Sequence, residues 1–237
     1  MLNFSFHNPT KIHFGVGQIE AIKKEIPANA KVLVIYGGGS IKKNGIYDQV
    51  AAALSEHKWF EFSGIEPNPT FDTLEKSLTV IKEHNIDYLL AVGGGSVIDG
   101  SKFIAAAALF EGDDPWDIIA KRARIKAALP LGVVLTLPAT GSETNASAVV
   151  TRNGHKLPFA NKLVRPAFAV LDPEVTLTLS DRQVSNGVVD AFVHTIEQYL
   201  TYNVNAKVQD RFSEGLLQTL IEDGPKALAK DTREDLE

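Results

Sequence analysis

Apolar residues come first in short unbroken runs and then, past about residue 175, at three- and four-residue spacing. Lys31-Val32-Leu33-Val34-Ile35-Tyr36, Tyr88-Leu89-Leu90-Ala91-Val92 and Gly132-Val133-Val134-Leu135-Thr136-Leu137 are β-rich runs without polar alternation. That is the pattern of strands covered on both faces. Each leads into a turn of small residues: Gly37-Gly38-Gly39-Ser40, Gly93-Gly94-Gly95-Ser96 and Pro138-Ala139-Thr140-Gly141-Ser142. Helical stretches over 47–55, 72–84 and 100–109 supply the crossovers, so the expected fold class is α/β, a doubly wound parallel sheet. Ahead of it, residues 4–6 and Lys11–Phe14 read as two short strands separated by Asn8-Pro9. Pro67 and Pro69 bracket a turn before the helix that starts near Asp72.

The character then changes. Ser180 or Asp181 caps a short helix near 182–184, and Asn186-Gly187 divides it from a second helix over 188–199. In that second helix Val189, Phe192, Val193, Ile196 and Leu200 recur on one face. A further helix spans 206–221 and ends before Gly224-Pro225. Residues 230–237 are charged and compositionally open. The expected division is an α/β domain over 1–175, then the N-terminal part of an all-helical domain over 176–237 whose remainder is absent.

Composition narrows the function classes. Of 237 residues, 44% are hydrophobic and 22% charged, which excludes a predominantly disordered chain. The net charge of −5 leaves no basic excess to neutralise phosphates, so nucleic acid is not an expected partner. Cysteine is absent, which excludes disulfides, thiolate metal ligands and a cysteine nucleophile, and fits a reducing compartment. The N-terminus lacks the basic start and apolar run of a signal peptide. The most apolar stretches, 103–110 and 127–139, fall short of the roughly 18 residues of a membrane span. The expectation is a soluble cytoplasmic protein with no membrane partner.

Candidate chemistry lies in the turns. Glycine lets backbone approach a ligand closely, and the helix after such a turn points free N–H groups at an anion. Gly93-Gly94-Gly95-Ser96 therefore reads as a pyrophosphate cradle, or as a tight turn with Ser96 and Asp99 spaced as a capping pair. Neither common nucleotide fingerprint fits. Gly15-Val16-Gly17 has Glu20 where a dinucleotide loop has its third glycine. Gly95 to Gly100 has P-loop spacing, but Ser101-Lys102 reverses the required order and would place the lysine away from phosphates. Gly37-Gly38-Gly39-Ser40 carries no carboxylate to repel a 2′-phosphate, and Lys42 and Lys43 follow it. The turn leans toward NADPH; the lysines read equally as a solvated helix face. The third turn, continuing into Glu143-Thr144-Asn145, is rich in small donors, although Thr140, Ser142 and Glu143 also suit a helix N-terminus. On parallel strands the three turns gather at one sheet edge, where ligands of open α/β folds bind.

Asp190 and His194 are four apart on a predicted helix, so they project from one face. Carboxylate oxygen and imidazole nitrogen suit Zn²⁺ or Fe²⁺. A helix-surface ion pair is the other reading. Against it stands the apolar setting of Val189, Ala191, Phe192 and Val193, where an unpaired charge is costly. The remaining histidines form no second spaced pair, and His155 in Asn153-Gly154-His155-Lys156 falls in a turn.

Three stretches together are distinctive: Gly93-Gly94-Gly95-Ser96-Val97-Ile98-Asp99, Leu137-Pro138-Ala139-Thr140-Gly141-Ser142-Glu143 and Gly187-Val188-Val189-Asp190-Ala191-Phe192-Val193-His194-Thr195-Ile196-Glu197. Through them the chain resembles the iron-containing (group III) alcohol dehydrogenases, especially their NADPH-dependent butanol dehydrogenase-like aldehyde reductases. The resemblance runs over 4–228, and Gly37-Gly38-Gly39-Ser40 is similar to the NADPH-preferring subgroup. It implies a metal-dependent oxidoreductase that interconverts small aldehydes and alcohols by hydride transfer with NADP(H). By resemblance Gly94, Gly95 and Ser96 hold the pyrophosphate and Asp99 lines the coenzyme cleft. Thr136, Thr140 and Ser142 lie along the phosphate and nicotinamide-ribose side, and Lys156 approaches that ribose. Asp190 and His194 become the first two ligands of the catalytic iron or zinc, with two later histidines that the chain does not reach. The resemblance also implies pairing of the short N-terminal strands across a homodimer. Two rival readings are a non-catalytic nucleotide-binding fragment and a polyol dehydrogenase or dehydroquinate synthase-like relative.

Overall fold

The structure is a computed structural model that describes residues 3–202 and 204–229. Two compact units divide between Val175 and Thr176. The charged stretch 230–237 lies outside the described residues.

The first unit contains strands β1 (Lys11–Phe14), β2 (Lys31–Tyr36), β3 (Lys58–Phe62), β4 (Tyr88–Gly93), β5 (Leu131–Leu135), β6 (Ser147–Arg152), β7 (His155–Ala160) and β8 (Phe168–Leu171). Its helices are α1 (Ile22–Glu25), α2 (Ile46–Ala53), α3 (Phe71–His84), α4 (Gly95–Ala107) and α5 (Asp117–Ala120). Six strands form one sheet in the order β1-β8-β5-β4-β2-β3, and every pairing in it is parallel. Side chains alternate between two buried layers, as the pleat requires. Leu33, Ile35, Leu89, Ala91 and Val133 join Phe71, Leu74 and Phe103 of α3 and α4. Val32, Val34, Leu90, Val92 and Val134 join Ile22, Ile46 and Val50 of α1 and α2. Burial on both faces is why these strands show no polar alternation.

The chain passes from β2 outward to β3, returns to β4 on the other side of β2, and continues through β5 to β8. Strand order therefore reverses between β2 and β4, and the crevice beyond the carboxyl ends at such a switch point is where open α/β sheets take ligands. Tyr36, Val92 and Val134 stand in register across β2, β4 and β5, so the turns that follow emerge side by side.

Several local expectations are corrected. Residues 4–6 form no strand: Phe4 and Phe6 are exposed and unpaired to the sheet, whose edge strand β1 meets only β8. Helix α4 starts at Gly95 rather than residue 100. The third turn opens no helix. It leads to the antiparallel pair β6–β7, closed by Asn153 and Gly154 at φ 51° and 77°, the positive angles of a tight hairpin turn. His155 and Lys156 accordingly begin a strand.

The second unit pairs α6 (Asp181–Tyr199) with α7 (Lys207–Ala229). Ser180 and Gln183 form a reciprocal capping box at the start of α6, and the helix runs unbroken through Asn186-Gly187. A mid-helix glycine costs only about 1 kcal/mol. Likewise α7 continues through Gly224-Pro225. Gly224 is buried against α6, where a Cβ would stand 2.6 Å from Val188 Cγ1, so close helix packing explains a glycine that resembles a stop. Among the described residues no helix is long and apolar enough to cross a membrane.

Candidate active site

A cleft of about 360 Å³ opens at the carboxyl edge of the sheet. Gly95, Ser96 and Asp99 of α4 form one wall, and Thr140 and Ser142 of the third turn, with Lys156 of β7, form another. Six of the expected coenzyme residues thus share one concavity. Gly37, Gly38, Gly39, Ser40, Gly94 and Thr136 do not line it. They sit beside it in the adjoining turns, where Thr136 N donates to Gly93 O at 3.2 Å and Gly64 N to Gly37 O at 3.0 Å. Two larger hollows, of about 670 Å³ at the α6–α7 turn and about 590 Å³ beside Arg122 and Arg124, contain none of the glycine turns.

The start of α4 has no capping side chain. The expected Ser96–Asp99 capping pair is not formed. Ser96 Oγ accepts from Asn68 N at 3.3 Å, while Asp99 accepts from Ser142 Oγ at 2.6 Å and from Val149 N at 3.0 Å. The first amides of a 13-residue helix therefore lie at the cleft wall without a capping partner, the arrangement that favours an anion. Gly95 allows it. A Cβ there would stand 2.6 Å from Thr140 Oγ1 and 2.9 Å from its Cγ2, so only glycine lets the helix start and the third turn meet.

Ser142 is buried, and its hydroxyl is already committed between Asp99 and Lys102. It braces the wall. Thr140, like Pro138 and Ala139 before it, is exposed. Glu143 meets no helix N-terminus, because none follows. Lys156 Nζ donates to Asn68 Oδ1 at 2.6 Å across the cleft mouth.

Lys102 is the residue that the sequence reading passed over. Its order after Ser101 does not suit a P-loop, and its amine is turned into the protein instead. It is 0% exposed and its Nζ donates to Ser142 Oγ at 2.7 Å, Asn145 Oδ1 at 2.8 Å and Ser147 O at 2.8 Å. The signal for it is the apolar run 103–107 that directly follows it on α4: a lysine drawn into a buried helix needs internal acceptors.

The first turn also gains a partner from outside its own sequence. Glu61 of β3 accepts from Lys42 Nζ at 2.8 Å, Tyr36 OH at 2.5 Å and Tyr47 OH. Lys42 Nζ lies 4.5 Å from the Tyr47 ring centroid. Desolvation pushes the Glu61 carboxyl up, but hydrogen bonds from Lys42, Tyr36 and Tyr47 outweigh it and hold the group at about 2. Lys42 is thus matched by an acid rather than standing as a free cation beside the turn.

Asp190 and His194 do share one face of α6, with Oδ2 and Nδ1 3.8 Å apart. The apolar setting inferred for them is absent: α6 buries none of its residues, and both side chains are about half exposed. Among the described residues no group of three or more His, Asp or Glu gathers to hold a metal. These two side chains fit an ion as part of a ligand set rather than as a whole one.

The iron-containing alcohol dehydrogenase family matches residues 9–173. The NADPH-dependent aldehyde reductase YqhD of Escherichia coli is 56% identical over 240 aligned residues, spanning 100% of this chain and 62% of that protein. A probable NADH-dependent butanol dehydrogenase 2 of Bacillus subtilis is 48% identical, spanning 100% and 60%. The E. coli YqhD crystal structure superposes with a TM-score of 0.93 over 99% of this chain and 61% of its own. A Thermotoga maritima NADH-dependent butanol dehydrogenase A gives 0.90 at 41% identity, over 98% and 60%. The chain thus spans about three fifths of the length of these relatives. With a match covering most of the α/β unit, and with both helices of the second unit inside the aligned span, the chain belongs to the iron-containing alcohol dehydrogenase family.

Proposed function

We propose that this chain carries the coenzyme half of an NADP(H)-dependent oxidoreductase that interconverts small aldehydes and alcohols. The carrying observation is the uncapped start of α4 at the switch point, faced by Thr140 and Lys156 across one cleft. In this reading Gly94, Gly95 and Ser96 present backbone N–H groups to the pyrophosphate. Thr140 and Thr136 flank the ribose side, and Lys156, held by Asn68, reaches the same ribose. Asp99 and Ser142 act by shaping the wall. When bound, the dinucleotide would supply the hydride, and a divalent ion would polarise the aldehyde oxygen as a Lewis acid. Asp190 and His194 would contribute two ligands to that iron or zinc, with His194 neutral when it ligates.

The two relatives named above differ in their stated coenzyme, so the preference for NADPH is argued from the first turn. Gly37 to Ser40 offers no carboxylate of its own, and nothing lies within 4 Å of a Cβ built on Gly38. Calorimetric titration of the chain with NADPH is expected to show one saturable site; no binding up to millimolar NADPH would overturn the reading. Gly38→Asp fits the open space and sets a negative charge where a 2′-phosphate would lie. Its expected effect is a loss of NADPH affinity of roughly tenfold, with NADH affected less. An unchanged ratio of the two dissociation constants would remove the first turn from the site.

A further inference from the structure

We propose that Lys102 is a positioning residue of the coenzyme site, which ties the third turn to α4 and sets a buried positive charge directly behind the cleft wall, complementary to a dinucleotide's phosphates. This inference rests on the coenzyme reading above.

An ammonium group has three donors and no acceptor, and here each donor has one partner: Ser142 Oγ, Asn145 Oδ1 and Ser147 O. All three partners belong to residues that line the cleft. None is a carboxylate. The nearest hydrogen-bonded acid, Asp99, is reached only through the Ser142 hydroxyl. Lys102 is therefore solvated by dipoles rather than neutralised by a contact ion pair. A buried charge held this way is costly unless something of opposite sign completes it. Neutral donors could satisfy the same three acceptors, so the charge itself is explained by what occupies the far side of the wall.

The surrounding charges are Asp99 on α4, Glu143 in the third turn and Arg165 ahead of β8. Burial brings the Lys102 amine down to about 8, with Asp99 and Glu143 opposing that fall and Arg165 adding to it. An anion in the cleft favours the protonated form and raises this value on binding. Affinity for NADPH is then greatest below about pH 8 and falls above it as Lys102 loses its proton.

The test compares NADPH dissociation constants of wild type, Lys102→Met and Lys102→Arg at pH 7 and pH 9.5, with a melting transition recorded for each. Lys102→Met is expected to bind roughly tenfold or more weakly at pH 7, the loss of one charge-assisted interaction, and to lack the alkaline decline. Lys102→Arg, which stays charged, is expected to recover much of the affinity and to hold it at pH 9.5. A brace without an electrostatic role would lower the melting transition of both variants and leave an alkaline decline in both of them, which overturns the proposal. A folded Lys102→Met that binds within twofold of wild type overturns the proposal and leaves the coenzyme reading standing. Where Lys102→Met does not fold, Lys102→Arg decides, since an alkaline decline equal to that of wild type excludes Lys102 as its source. Wild type that binds no NADPH defeats the coenzyme reading and this proposal together.

Discussion

Gly95→Val is expected to weaken NADPH binding by about a hundredfold. Two backbone N–H groups of the α4 start, each worth about 1.5 kcal/mol toward a charged acceptor, would be displaced from the phosphates; about 3 kcal/mol corresponds to roughly two decades of affinity. The cause is steric. The new Cβ would meet Thr140 Oγ1 at 2.6 Å, and Thr140 is held in turn by Ser142 N at 3.3 Å. The third turn must retreat, and the two walls of the cleft separate. Overpacking of this kind costs stability by about 1–3 kcal/mol, so binding is compared on samples that show a native melting transition. Affinity within threefold of wild type would mean that the helix start and the third turn do not jointly grip the coenzyme.

Phe103→Ala acts on the same helix from the other side and is expected to lower unfolding free energy by about 3–5 kcal/mol. Phe103 is fully buried, edge-on to Phe71 with ring centroids 5.8 Å apart and to Phe159 at 6.1 Å. It joins α4 to α3 and to β7 of the hairpin that carries Lys156. Truncation leaves a cavity between three elements with little freedom to collapse. Urea unfolding reads the loss directly. A change below about 1 kcal/mol would show that these rings are not jointly packed.

The two variants separate chemistry that was legible from chemistry that was not. Gly93-Gly94-Gly95-Ser96 announced itself because a strand, a glycine turn and a helix are consecutive in the chain, and the anion-binding physics of a helix start is local. The same holds for Ser180 capping α6 and for Asp190 and His194 sharing a helix face. The expected helix after Ser142 failed for a non-local reason. The third turn is held by Lys102, 40 residues away in sequence from Ser142, and by Asp99 on the same helix. Glu61 was invisible beside the first turn because only the pairing of β2 with β3 brings it to Lys42 and Tyr47. The apolar stripe near Asp190 was real as a pattern, yet it covers neither of the two side chains in this chain.

By itself the sequence determined a parallel α/β sheet with three small-residue turns, a following helical pair and membership of one dehydrogenase family. Runs of apolar residues, glycine placement and helical spacing are short-range properties that act before any long-range contact forms. Tertiary structure alone decided the reversal of strand order that sets the first two turns at a switch point, the commitment of Ser142 to the cleft wall, and the burial of Lys102 behind it. Those depend on which distant segments become neighbours, and a buried charge acquires its meaning only from the dipoles and acids that folding brings around it.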